Sequence, residues 1–255
     1  MKGYGSMSEA TATSPDPYEL RKQYHYLRVA DVVDALDGIG YFNIGLMDPN
    51  IQPIWRPMKF WGVAVTLRCV PPHRPMWKLN TSEEIVRAIP TWFETVGHVR
   101  INDHIREGSV IVTDAGSAPE MGYWGSNNGL DVVARGAVGI VSNGYARDTG
   151  EMTHQKTPMV ARSRGRTMYA GRLVALECQV PIGCGGAQVR PGDIVGCDDD
   201  GVVVVPLEVA AEVAVHARAV LLHDMRGRRK LYERLGMAPD ETVDVEAVEA
   251  YYGQF

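Results

Sequence analysis

Apolar residues recur along this chain with two periods, and the switches between them divide it into helices and strands. Over residues 17–40, Tyr24, Leu27, Val29, Val32, Val33, Ala35 and Leu36 fall at mixed helical spacing with Asp31 as a candidate N-cap, which predicts helices. Residues 62–70 (GVAVTLRCV) and 108–114 (GSVIVTD) read as strands. The first is stopped by Pro71 and Pro72, and the second carries Asp114 at its end, where α/β folds tend to place functional groups. Trp77, Ile85, Val86, Ile89 and Trp92 keep helical spacing through residues 74–97, with Pro90 as an expected interruption. A loop containing Gly116, Pro119, Gly122 and Gly125 leads to a predicted helix over residues 126–136, with Ser126 as N-cap and Gly136 as stop. Residues 136–151 (GAVGIVSNGYARDTGE) then form a buried strand that is expected to end in a sharp turn at Asn143-Gly144 and to deliver Arg147 and Asp148.

Beyond that stretch, short strands are predicted over residues 157–162 and 173–180. Residues 183–206 are β-rich, with turns at Pro191-Gly192 and Asp200-Gly201. Residues 207–235 make the longest helical pattern, with Val209, Val213, Val220 and Leu221 near one face and Gly236 as the stop. Residues 1–17, rich in Ser, Thr, Gly and Pro, read as a disordered tail, and residues 18–255 as a single domain without repeats or a linker.

Composition narrows the chemistry. With 255 residues and 45% hydrophobic content, the chain has ample material for a core. Its net charge of -5 supplies no overall basic field for nucleic acid. The basic end formed by Arg226, Arg228, Arg229, Lys230 and Arg234 complements a helix dipole and is expected to face solvent. Four cysteines without C-x-x-C spacing argue for buried reduced thiols in a cytoplasmic, reducing compartment and against zinc. The tail lacks the apolar centre of a secretory signal, and no apolar run approaches the ~20 residues that span a bilayer. Asp31, Asp34 and Asp37 are better explained as acids near a helix N-terminus than as a metal site. Asp198, Asp199 and Asp200 make a tight turn and lack the spacing of a calcium loop.

The adjacent charges Arg147 and Asp148 carry the candidate chemistry. A guanidinium fork grips an oxyanion and a carboxylate holds a hard divalent cation, although a surface ion pair has the same sequence. The amides at Gly125, Ser126, Asn127 and Asn128 would form a helix N-terminus, a natural seat for a carboxylate or phosphate, although most capped helices bind nothing. If the loops at 125 and 147 meet, amides, guanidinium and carboxylate converge on one small anion.

Trp124-Gly125, residues 135–141 (RGAVGIV), residues 147–151 (RDTGE) and residues 190–206 (RPGDIVGCDDDGVVVVP) together resemble the class II pyruvate aldolase superfamily. That superfamily includes the 4-hydroxy-4-methyl-2-oxoglutarate/4-carboxy-4-hydroxy-2-oxoadipate aldolases and the regulator of ribonuclease activity A. The similarity runs from about Val29 to the C-terminal helix, and residues 32–37 (VVDALD) fit the family's early helix. The resemblance implies an α/β fold, a swivelling β/β/α domain with N-terminal helices and a long C-terminal helix. It also implies assembly as a homotrimer or homohexamer with sites between subunits, and a magnesium or manganese cofactor.

The family signature is an acidic residue, twenty residues, then Arg-Asp, often followed by a further acid. Arg147, Asp148 and Glu151 match it, whereas the first position is Ser126. By resemblance, Arg147 and Asp148 are catalytic; Gly125, Ser126, Asn127, Asn128 and Arg147 bind substrate; Asp148 and Glu151 hold the metal. Asp224 is a candidate for the acid that the family borrows from a neighbouring chain. The implied activity is cleavage of a carbon-carbon bond in a small 2-oxo acid through pyruvate enolate, by retro-aldol reaction or by oxaloacetate decarboxylation, with no nucleic-acid or membrane partner. The alternative is a non-catalytic regulator that binds a ribonuclease or another protein, which Ser126 favours. A methyltransferase is disfavoured because no glycine-rich nucleotide loop follows an N-terminal strand.

Overall fold

A computed structural model describes residues 16–97, 99–116 and 120–255. The expected tail lies outside the described residues up to residue 15, as does Pro119. Asp16 caps helix α1 (Pro17–Leu20) by accepting the Tyr18 N–H, and Pro17 at the first position needs no hydrogen-bond partner for its nitrogen. In α2 (Val29–Gly38) the N-cap is Arg28, not Asp31 as expected. Asp31 is buried one turn inside, where it accepts the Arg28 N–H at 2.8 Å and is gripped by the Arg28 guanidinium.

The chain continues through β1 (Gln52–Pro53), β2 (Phe60–Val70), α3 (Ser82–Val86), α4 (Ala88–Val96), β3 (Ser109–Asp114), β4 (Gly122–Trp124), α5 (Ser126–Ala134), β5 (Ala137–Ala146), α6 (Thr149–His154) and β6 (Met159–Arg164). It ends with β7 (Val174–Cys178), β8 (Ile182–Cys184), β9 (Ala187–Val189), β10 (Ile194–Asp198), β11 (Gly201–Val205), α7 (Ala210–Leu235) and α8 (Val245–Tyr252). Among the described residues nine strands form one mixed sheet in the order β1-β6-β5-β3-β2-β10-β11, with β4 added to β5 and β7 to β2. β2, β3, β5 and β6 run parallel, and the β10–β11 hairpin closes antiparallel on β2.

β2 shows why its sequence is apolar almost throughout. Phe60 and Ala64 point into the interior of the curled sheet with Val110, Val141 and Val195. On the other face, Trp61 and Val63 meet the helical layer of α2 and α7, while Val65, Leu67 and Cys69 meet the layer that contains Trp92 and Trp124. A strand covered on both faces loses the polar alternation of a half-exposed one.

α7 buries Ala210, Val213, Ala214, Ala217, Leu221 and Met225, a three-and-four spacing that lays one stripe on α2, and Gly236 at φ +67° ends it as expected. Its basic end does more than face solvent: Arg226 pairs with Glu249, Arg229 pairs with Glu246, and Arg228 donates to the Thr242 carbonyl, which fastens the α8 region. Exposed pairs of this kind contribute about 1 kcal/mol or less each. Among the described residues no helix is long and apolar enough to cross a membrane.

Two local expectations fail, the first for a local reason and the second for a tertiary one. Pro90 does not interrupt a helix, because it falls in the first turn of α4, where N–H groups have no intrahelical acceptor; the break lies before it, at Arg87. Asn143-Gly144 is not a turn, because β5 runs through it to Ala146 and only shifts register against β6. The Asn143 side chain accepts the Ala115 N–H at 2.7 Å and donates to Asp114 at 2.9 Å, so Asp114 is spent on holding the strand ends together.

Candidate active site

Parallel strands β3 and β5 lie side by side, with β5 continuing past the end of β3 to Ala146, and the crevice beyond the carboxyl ends of parallel strands is where open α/β sheets bind ligands. β4 lies parallel against the end of β5, and the Arg147 N–H donates to the Trp124 carbonyl at 2.9 Å. The loops at 125 and 147 therefore meet. The Ser126 N–H donates to Asp148 Oδ2 at 3.3 Å, and Arg147 Nε lies 3.6 Å from the same oxygen.

Asp148 holds φ +53° and ψ +35°, a left-handed conformation that Asp tolerates better than most residues, at the N-terminus of α6. This kink turns the carboxylate back toward α5. Gly125 leaves room for it: a Cβ there would stand 2.6 Å from Asp148 Oδ2 and 3.2 Å from Arg147 Nε. Gly122 does the same for the Arg147 stem, since its Cβ would stand 2.9 Å from Arg147 Cβ.

Gly125, rather than Ser126, is the N-cap of α5. Asn128 reaches back so that its Oδ1 accepts the Gly125 N–H at 2.9 Å, while its Nδ2 donates to the Tyr123 carbonyl at 2.9 Å. Asn128 thus fixes the turn, and Ser126 contributes its amide to Asp148.

The resulting cleft has a volume of about 750 Å³ and is lined by Asn127, Asn128, Arg147 and Asp148, with Tyr123 and Tyr169 among its aromatic walls. Gly125 and Ser126 are not part of this lining, nor is Glu151, which is exposed on α6. Asp224 pairs with Arg28 of its own chain at 2.9 Å and forms no part of the cleft.

Several lining groups were not visible in the sequence pattern. Asp131 is held by Arg135 through two hydrogen bonds of 3.1 Å and by Asn102 at 3.1 Å. Its helical spacing to Arg135 was the one available signal. Burial pushes the Tyr169 phenol up to about 12 and that of Tyr123 well above its ordinary value, so both remain hydrogen-bond donors at neutral pH.

Among the described residues no three His, Cys, Asp or Glu side chains cluster closely enough to form a metal cage. The donor set fits a hard cation in a narrower way. Asp148 is accessible and carries the carboxylate to which Gly125 gives space, whereas Asp131 is already committed to Arg135 and Asn102. Magnesium is held in this fashion, by one or two carboxylates with the remaining positions filled by water and ligand oxygens.

A family model described as RraA-like (Aldolase/RraA) matches residues 29–204. The chain belongs to this family. As an RraA-like protein it is 36% identical over 175 residues to a Cupriavidus taiwanensis protein provisionally named a 4-hydroxy-4-methyl-2-oxoglutarate aldolase, covering 68% of this chain and 92% of that one. It is 25% identical over 197 residues to Protein DlpA of Legionella pneumophila, a match that covers 77% of this chain but spans only 29% of DlpA.

Among solved structures, an uncharacterized protein from Pseudomonas syringae pv. tomato superposes with a TM-score of 0.66 at 26% identity, covering 91% of this chain and 96% of that one. RraAS2 of Streptomyces coelicolor, described as an unusual member of the RNase ES inhibitor RraA protein family, gives 0.67 at 22% identity, covering 82% and 96%; this likeness speaks to the fold alone. The expected α/β swivelling fold of the RraA-like family, with its N-terminal helices and long C-terminal helix, is the fold observed.

Proposed function

We propose that this RraA-like protein is a divalent-metal-dependent lyase that releases pyruvate from a 4-hydroxy-2-oxo acid, and that oxaloacetate decarboxylation is open to it through the same enolate. The observation that carries this reading is the convergence of Arg147, Asp148 and the first turn of α5, through Asn127 and Asn128, on one cleft. Asp148 would hold magnesium or manganese together with the ligand's own oxygens, and the bound cation would supply Lewis-acid polarisation of the 2-oxo group.

Arg147 donates to the keto oxygen and stabilises the negative charge that grows there. Asn127 lies beside it at the start of α5, where the helix N-terminus favours the substrate carboxylate. As the C4 hydroxyl gives up its proton to water in the cleft, C4–O becomes a carbonyl and the C3–C4 bond breaks. Its electron pair forms the enolate, which takes a proton at C3 to give pyruvate. Tyr123 and Tyr169 remain protonated at neutral pH, so they serve as donors and not as the base. The family's homotrimeric or homohexameric assembly, with a borrowed acid at the site, belongs to this proposal.

The experiment is pyruvate release from 4-hydroxy-4-methyl-2-oxoglutarate and from oxaloacetate, with magnesium or with chelator. Arg147→Lys should reduce kcat/KM by roughly 100-fold or more, as loss of an oxyanion donor does, and Asp148→Asn should abolish metal-dependent turnover. Metal-independent rates, or no pyruvate from either acid, would contradict the proposal. A second reading, a regulator that masks a partner such as a ribonuclease, is favoured by Ser126 standing where the catalytic signature has an acid. Stoichiometric binding and inhibition of a purified ribonuclease by protein that releases no pyruvate would decide for it.

A further inference from the structure

A smaller cavity, of about 260 Å³, shares no lining residue with the Arg147–Asp148 cleft. Its charged lining is all basic. Arg21 and Lys22 belong to the 3-10 turn that follows α1 (Arg21–Tyr24), His25 comes just after that turn, and Lys59 comes just before β2. No acidic residue joins them among the described residues, in a chain whose net charge is -5. Both ends of the sequence hold the cavity in place: Tyr251 of α8 donates its hydroxyl to the Lys22 carbonyl at 2.8 Å, and its ring lies 5.0 Å from that of His25.

The basic groups differ in how their charge is met. Lys22 pairs with Glu19 at 2.6 Å, both of them exposed. Arg21 has no such partner among the described residues. Its guanidinium fills the space that a Cβ on Gly108 would need, and its Nε is buried without a hydrogen-bond partner. Lys59 Nζ donates to the Tyr26 carbonyl at 2.9 Å, which leaves the ammonium two more N–H donors.

Burial holds Lys59 below its ordinary pKa against the pull of Asp198 and Asp31. Those two acids are engaged elsewhere, Asp31 with Arg28 and Asp198 with the Val29 N–H at 2.8 Å. Partial burial, and next the Lys59 ammonium, likewise hold the His25 imidazole below its ordinary value, so the basic groups act on one another across this space.

Two positive charges, on Arg21 and Lys59, therefore face one cavity without a carboxylate in ion-pair distance among the described residues, beside the buried rings of Phe60 and Trp61. Cations gathered against an apolar wall are costly unless an anion joins them. Their number matches a double negative charge. The volume lies below the ~300 Å³ at which drug-sized pockets begin, which suits a small anion better than a nucleotide.

We propose that this cavity binds a small dianion, either the phosphate group of a phosphomonoester or a dicarboxylate, held by the Arg21 guanidinium and the Lys59 ammonium. Arginine offers a planar fork to two oxygens and lysine a point charge. The site stands apart from the lyase reading and does not depend on it.

The test is calorimetric titration of the full chain in metal-free buffer of fixed ionic strength, at about pH 8, where inorganic phosphate is almost wholly dianionic. The probes are inorganic phosphate, succinate and acetate. Phosphate or succinate should bind roughly tenfold or more tightly than acetate, and the tighter of the two tells which dianion chemistry the site takes. Arg21→Gln and Lys59→Gln should each weaken that binding roughly tenfold or more, the scale of one hydrogen bond to a charged group. Arg147→Lys should leave it unchanged. Lys59 is exposed, so Lys59→Gln carries the test if Arg21→Gln lowers the melt.

No preference over acetate, or a dianion affinity untouched by Lys59→Gln, overturns the proposal. So does weakening by Arg147→Lys alone, because the anion then occupies the cleft. Absence of dianion binding with a changed oligomeric mass in Lys59→Gln also overturns it, because a neighbouring copy then supplies the acid.

Discussion

Replacing Gly125 by alanine separates the geometry of the site from the stability of the fold. Gly125 has φ −131° and ψ −178°, extended backbone open to any residue, so the main chain gives alanine no difficulty. The added methyl would stand 2.6 Å from Asp148 Oδ2, 3.2 Å from Arg147 Nε and 3.3 Å from Arg147 Cγ. Comfortable contact begins near ~3.5 Å. The carboxylate must therefore retreat by close to ~1 Å and the guanidinium by a few tenths.

Asp148 is half-exposed and can swing outward, losing its hydrogen bond from the Ser126 amide. That loss, with the poorer cap, is worth about 1 kcal/mol, or roughly 2–4 °C in Tm for a chain of this size. A 1 Å misplacement of a catalytic group costs on the order of 100-fold in rate, about 2.7 kcal/mol of barrier. Gly125→Ala should thus melt within a few degrees of the wild type while kcat/KM for pyruvate release falls about 100-fold. The assay is lactate-dehydrogenase-coupled pyruvate production beside a circular-dichroism melt. A kcat/KM within threefold of wild type at an unchanged Tm would refute the role given to the Asp148 carboxylate.

Trp92→Ala should destabilise the protein by about 3–5 kcal/mol, since a large buried aromatic and its hydrogen bond to Leu173 are both removed; a urea titration measures it, and a loss below about 1 kcal/mol would mean that α4 is not anchored there. Alkaline pH should also destabilise the fold. Burial pushes the Cys184 thiol and the Tyr169 phenol up to about 12 from ordinary values of 9.0 and 10.0, so above about pH 9 the folded chain binds more protons than the unfolded one. Their contribution is fully present below about pH 9 and is lost as pH rises toward 12; urea midpoints at increasing pH should fall, less steeply in Cys184→Ala, and a rise would contradict the assignment.

Much of the fold was legible because burial leaves a strong imprint on sequence. β2 and β3 read as strands since both of their faces are covered, and α7 was bounded by its buried stripe and by Gly236. Two of the misreadings are local signals outvoted by other partners. Asn143-Gly144 has turn chemistry, yet Asn143 spends its amide on Ala115 and Asp114, far away in sequence, and the strand continues. Ser126 has the right hydroxyl for an N-cap, yet Asn128 and Asp148 satisfy the first amides of α5 instead. In the cleft only the adjacent pair Arg147-Asp148 could be read locally. Tyr169, Asn102 and the α4 residues Ile89 and Phe93 are brought to it by packing between elements far apart in sequence.

The same geometry changes the meaning of the serine at 126. Its side chain is not what reaches Asp148; its backbone N–H is, and that contact is indifferent to the side chain. What an acid at this position would add is a second negative charge. Without it Arg147 and Asp148 leave the site close to neutral, which weakens the hold on a bare divalent cation and lowers the penalty for an anionic ligand. The carboxylate and keto oxygens of a 2-oxo acid supply the missing negative charge and donors together. On the lyase reading, a site whose carboxylate beside Arg147 is Asp148 alone is one in which cation and oxo acid would bind as a pair, and selectivity passes to whatever the rest of that acid touches. In this protein that is a mixed lining, with Ile89 and Phe93 of α4 beside Arg100, Asn102 and Asp103.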